Sequence, residues 1–218
     1  MKQLKAEDFI TINENMTPIP LRVDLVYTCA DHPRNVFQTA IYKPDAKLWM
    51  HKDLAAVTLR AAEICYQESG YIFEIKDSLR PVEAQTAMIE TPIVQKNPHW
   101  IGPLLARPGV GGHPRGMAVD IVLRTASGNL VDMGTEFDHF DEDPAKNPAD
   151  RSFTDLAETV LENRRLLQES MCRAGDELGH EIWPLPTEWW DFRFPRHTTD
   201  AYAPLSDRDL PAEMRLVF

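Results

Sequence analysis

The run Gly111-Gly112-His113-Pro114-Arg115-Gly116, followed by Met117-Ala118-Val119-Asp120-Ile121-Val122-Leu123, constrains this chain more than any other. Met117 to Leu123 is apolar enough for a buried strand. Strand alternation then puts Ala118, Asp120 and Val122 on one face and Val119, Ile121 and Leu123 on the other. A carboxylate inside a core strand is costly unless it is paired or bound to a cation. The nearest partner in sequence is His113, which a turn at Pro114 to Gly116 can fold back beside Asp120. Zinc accepts both ligand types, so the pair reads as half of a metal site.

Two further segments place charge where a core is expected. Tyr71 to Asp77 reads as a strand and runs into Ser78-Leu79-Arg80-Pro81, where Pro81 suits the first turn of a helix. Arg80 therefore sits at a strand-to-helix junction, and an ion pair with Asp77 is its plainest use. Near the C-terminus, Glu188-Trp189-Trp190-Asp191-Phe192-Arg193-Phe194 sets two carboxylates among aromatic residues. Apolar walls raise a carboxyl pKa unless a cation lowers it. Glu188 and Asp191 are three apart, so a regular strand would point them to opposite faces; both reach one site only if the backbone bulges or turns. For Asp191 a salt bridge to Arg193 or Arg196, or a helix cap, competes with metal ligation. Trp183, Trp189 and Trp190 are expected in the core.

Taken in order, Asp77-Ser78-Leu79-Arg80-Pro81, His113-Pro114-Arg115-Gly116-Met117-Ala118-Val119-Asp120, Met133 to Asp138, and Glu188-Trp189-Trp190-Asp191-Phe192 resemble the zinc D-alanyl-D-alanine dipeptidases, over about residues 36 to 194. The resemblance implies one divalent metal ion, zinc first among the choices, with His113 and Asp120 as ligands. It implies Glu188 as general base, Arg80 stabilising the tetrahedral intermediate, and Asp138 meeting the free ammonium of a small dipeptide. Two positions depart from the pattern. The family's third ligand is a histidine where this chain has Asp191, and a family serine two residues before the first ligand is Gly111. Asp191 is taken as the third ligand; His180 or His197 are the alternative sources of a nitrogen. A second anionic ligand brings Zn²⁺ formally to neutral and weakens its Lewis acidity. The implied activity is metal-dependent hydrolysis of D-alanyl-D-alanine or a similar dipeptide. A peptidase or amidase trimming larger cell-wall peptides is the enzyme alternative. A non-catalytic, metal-stabilised binding domain is the other, because the fold also resembles the signalling domain of hedgehog proteins.

The remaining inferences concern organisation. At 218 residues and 43% apolar content the chain can bury a sizeable core. A single α+β domain, with a mainly antiparallel sheet, flanking helices and an irregular extension from about residue 195, is expected. Periodicity predicts helices over Lys52 to Ser69 with Gly70 at its end, Pro81 to Ile89, and Phe153 to Ala174 followed by Gly175. Strands are predicted near Val36 to Tyr42, Tyr71 to Asp77, Met117 to Leu123 and Trp189 to Phe194. Asp132 to Asp155 reads as a long acidic loop, either a lid or a solvated spacer. The 23 basic and 34 acidic residues give a net charge of −11 without a basic cluster, which argues against nucleic acid or an anionic membrane as partner. Three cysteines with no CxxC spacing read as reduced thiols, and the absence of a leader-like segment predicts a cytoplasmic chain.

Overall fold

The computed structural model describes residues 1–218. Its centre is a five-stranded sheet made of β2 (Leu21–Val23), β4 (Ile72–Asp77), β5 (Ala118–Arg124), β6 (Trp183–Pro184) and β7 (Asp191–Arg193), in the order β2-β4-β5-β7-β6. Only the β2–β4 pairing is parallel; the other three are antiparallel. A separate antiparallel pair joins β1 (Phe9–Thr11) to β3 (Trp49–His51). The expected α+β class with a mainly antiparallel sheet is what the chain adopts.

Helix α1 (Lys52–Ser69) begins where His51 accepts a hydrogen bond from the Asp53 amide, and it ends at the left-handed Gly70. His51 is thus a buried, satisfied cap. Helix α4 (Glu158–Leu178) packs along α1, and the Arg60–Glu177 and Arg173–Glu68 pairs cross between them. It starts five residues later than periodicity predicts and ends at Gly179 instead of Gly175. Its buried stripe of Val160, Arg164, Leu167, Met171 and Ala174 begins at Val160, so an earlier turn would bury nothing. Gly175 lies inside the helix, where a Cβ would meet the His180 carbonyl at 2.5 Å.

Three more expectations are revised. Val36 to Tyr42 is not a strand: Gln38 takes a φ of 51°, which breaks an extended chain, although Phe37, Ile41 and Tyr42 are buried. The strand expected over Trp189 to Phe194 shrinks to β7, because Trp189 and Trp190 form a turn before it. The segment beyond Pro195 holds only α5 (Arg196–Thr199) and two 3₁₀ turns, yet Leu205, Leu210, Met214 and Leu216 join the core. Between β4 and α4 lie α2 (Val82–Glu90), with Pro81 at its N-terminus, and the short α3 (Pro92–Lys96).

The acidic loop is neither a free spacer nor a regular element. Arg164 on α4 donates to the carbonyls of Met133, Pro148 and Asp150, and Asn147 and Ala149 are buried. Its far end supplies Arg151, which is described below. No helix is long and apolar enough to cross a membrane.

Candidate active site

Strand register sets up the site. In β5 the odd positions Val119, Ile121 and Leu123 are fully buried apolar side chains, while Asp120 lies on the other face. Its neighbours in the sheet are Asp77 on β4 and Asp191 on β7, so three aspartates stand in one row across adjacent strands. All three are at most 1% exposed. Like charges directly opposite each other in a sheet repel, and the surroundings of the row show how that cost is met.

Asp77 takes hydrogen bonds from the Tyr42 hydroxyl and from Arg80 Nε at 2.7 Å. Arg80 spends its other nitrogens on Gln85 Oε1 at 3.2 Å and Asp120 Oδ2 at 3.3 Å, and its guanidinium lies over the Tyr27 ring. The plain Asp77 pairing foreseen from sequence is present, and it orients Arg80 toward Asp120. At the other end of the row, Arg193 forks both oxygens of Asp191. Burial raises the Asp191 pKa, and the Arg193 charge together with the His113 and Arg193 hydrogen bonds more than offsets it, holding this carboxylate well below the usual range.

His113 closes the arrangement. It begins a 3₁₀ turn, His113–Arg115, behind Gly112, whose missing Cβ leaves room for the Met117 carbonyl. Arg115 fastens this loop by donating to the carbonyls of Gly109, Gly111 and Tyr202. The Ser78 carbonyl can only accept, so the 2.7 Å contact puts a proton on His113 Nδ1. Nε2 then faces Asp120 Oδ1 at 3.5 Å and Asp191 Oδ2 at 3.2 Å. Burial and the Arg80 charge oppose protonation of His113, yet the two aspartates prevail and hold its pKa at about 10.

Glu188 lies between two turns, its amide bonded to the Leu185 carbonyl and Trp189–Trp190 turning before β7, which is how a residue three before Asp191 reaches the same place. One oxygen each of Asp120, Glu188 and Asp191 lies within 4.8 Å of the others. Burial, then the charges of Asp191 and Asp120, push the Glu188 pKa well above the carboxylate range. The turn is clamped by Arg151 from the acidic loop, which donates to the carbonyls of Leu185, Trp189 and Asp191 and to Gln168. Sequence reasoning did not foresee this residue, since nothing local marks an arginine whose partners are carbonyls 34 to 40 residues away.

Arg80, His113, Asp120, Glu188, Asp191 and Arg193 line one cavity of about 400 Å³. Asp138 lines it too, at a φ of 55°, accepting a 2.5 Å hydrogen bond from the Tyr27 hydroxyl. Burial, with the nearby Asp120 charge, raises its pKa to about 7. Trp183 lines the cavity, whereas Trp189 and Trp190 are core residues. His180 and His197 belong to a different depression beside His51 and Phe194, so neither supplies a nitrogen here.

The donor set suits a divalent cation. Asp120 Oδ1 is buried with no hydrogen-bond partner, the His113 tautomer is fixed by its second nitrogen, and anionic groups outnumber the arginines around them. Formal charge also balances. Asp191 adds a negative charge relative to an imidazole ligand, and Arg193 returns it.

An α+β chain whose sheet brings imidazole, carboxylates and arginine into one cavity has the parts of a hydrolase. Residues 14–208 match the model of the peptidase M15 family, described as D-ala-D-ala dipeptidase, and the chain belongs to that family of peptidases. It is 28% identical over 176 residues to the D-alanyl-D-alanine dipeptidase of Escherichia coli K12, covering 81% of this chain and 80% of that protein. Among solved structures, the L-Ala D-Glu endopeptidase of Serratia marcescens is similar, with a TM-score of 0.40 and 16% identity over 68% of this chain and 83% of that one.

Proposed function

We propose that this peptidase is a metal-dependent dipeptidase acting on D-alanyl-D-alanine or a similar small dipeptide. The observation that carries the reading is the meeting of His113 Nε2, Asp120 and Asp191 with the Glu188 carboxylate at one cavity wall. A divalent ion held by His113, Asp120 and Asp191 supplies, when bound, polarisation of the peptide carbonyl and a water of lowered pKa.

The chain's own groups do the rest. Glu188 accepts the proton of the attacking water and passes it to the leaving amine nitrogen. Arg80, locked by Asp77 and Gln85, keeps unspent N–H groups on Nη1 and Nη2 for the developing oxyanion. Asp138 meets the substrate ammonium. A cavity of about 400 Å³ favours a small substrate over a long peptide.

The test is D-alanine release from D-alanyl-D-alanine by protein of measured metal content, before chelation, after it, and after zinc is restored. Metal-dependent release is expected. Protein that carries one zinc per chain and releases no D-alanine would refute the assignment.

A further inference from the structure

Arg193 has two sides, and only one is spent on Asp191. Nε and Nη2 fork the carboxylate. Nη1 has no hydrogen bond within the protein, and the side chain keeps 12% of its surface open while lining the cavity. A free guanidinium nitrogen lining a cavity is a donor awaiting an acceptor.

Gly111 explains how it fits. A Cβ at that position would lie 3.0 Å from Arg193 Nη1, and the backbone there has a φ of +85°, which disfavours any other residue. The glycine therefore leaves Nη1 both space and exposure.

The other cations around the cavity are engaged elsewhere. Arg80 has a partner on each of its three nitrogens and its remaining N–H groups are assigned to the oxyanion, and Arg196 is 78% exposed beside Asp200. Asp138, by contrast, belongs to the group formed with Tyr27 and Arg80. The cavity thus offers both an anion, Asp138, and an uncommitted guanidinium arm, Arg193 Nη1. A zwitterionic dipeptide presents the matching pair of ends.

Resting on the dipeptidase reading above, we propose that Arg193 is the specificity residue for the substrate's free C-terminal carboxylate, which Nη1 binds while Nε and Nη2 hold Asp191. The chain would then select unblocked dipeptides, because an amide or a further residue removes the anion.

The experiment compares D-alanyl-D-alanine with its C-terminal amide on the zinc-loaded protein, reading KM and kcat separately. The parent should prefer the acid by at least about 10-fold in KM, the scale of one charge-assisted hydrogen bond. Arg193→Gln should bring the preference to within about 2-fold. Gly111→Ala should raise KM for the acid and leave that for the amide nearly unchanged. Calorimetric titration of Glu188→Gln with the two compounds reads the same preference without turnover. Equal KM values on the parent, or a preference that survives Arg193→Gln, would overturn the assignment. If Arg193→Gln does not fold or hold zinc, Gly111→Ala carries the test, and an unchanged KM for the acid in that variant would overturn the assignment. A zinc-loaded parent that hydrolyses neither compound defeats the dipeptidase reading itself, and this inference with it.

Discussion

Arg193 holds Asp191 in a two-pronged ion pair at the edge of a row of three buried aspartates. The pair gives a carboxylate the net charge of a neutral ligand. Substituting either partner alone therefore leaves a buried charge uncompensated.

For that reason Asp191→His alone should weaken zinc affinity, by leaving Arg193 unpaired beside a dication. Asp191→His with Arg193→Ala should recover it. Competition titrations with a chelator measure both. Equal affinity in parent and all variants would place Asp191 outside the ligand set.

His113 and Asp120 are expected to be indispensable to metal binding, Asp120 because its Oδ1 has no other partner. His113→Ala should lower zinc content well below one per chain, and the His113→Ala, Asp120→Ala double variant should abolish it. Elemental analysis after gel filtration decides the matter; stoichiometric zinc in the double variant would mean the ligands are elsewhere.

Glu188→Gln keeps the shape of the side chain and removes its basicity. Turnover should fall at least about 10²-fold with metal content and KM near the parent's, the lower bound for a proton shuttle. A loss smaller than about 3-fold would remove Glu188 from the mechanism.

Asp138 sets a pH dependence. Its pKa is raised from about 3.9 in the unfolded chain to about 7, so the folded state binds the proton more tightly. Its contribution to stability is complete below pH ~4 and is lost as pH climbs through about 7. Asp138→Asn should therefore raise Tm at pH 8 and change it little at pH 4. Because only the carboxylate attracts an ammonium, KM for the dipeptide should fall as pH rises through about 7, and Asp138→Asn should erase that limb. A KM limb retained by the variant would show another group at work.

Arg151→Ala should cost about 2 kcal/mol of stability, since three carbonyls around Glu188 lose a half-buried charged donor. Chemical denaturation reads the loss. A loss below about 0.5 kcal/mol would mean that the turn holds itself.

Much of this was legible in the sequence because it is local. Alternation put Asp120 on the face opposite Val119 and Ile121, Gly70 marked the end of α1, and Pro81 marked the entry to α2. The three-residue spacing of Glu188 and Asp191 required a turn, and the turn is there. Both proposed ion-pair partners, Asp77 for Arg80 and Arg193 for Asp191, lie within three residues and were foreseeable for the same reason.

Tertiary structure decided what depends on register and on distant segments. Between Ile75 and Asp77 the pairing with β5 slips by one residue, and that bulge sets Asp77 opposite Asp120, where uninterrupted pairing would put Lys76. No spacing within either strand reveals it, because a register belongs to the pair of strands. Likewise, the Tyr27 hydroxyl meets Asp138 across 111 residues, and Arg151 finds its carbonyls only after the acidic loop has wrapped against α4. Residue types told which groups needed partners; the packing of the whole chain chose which partners they met.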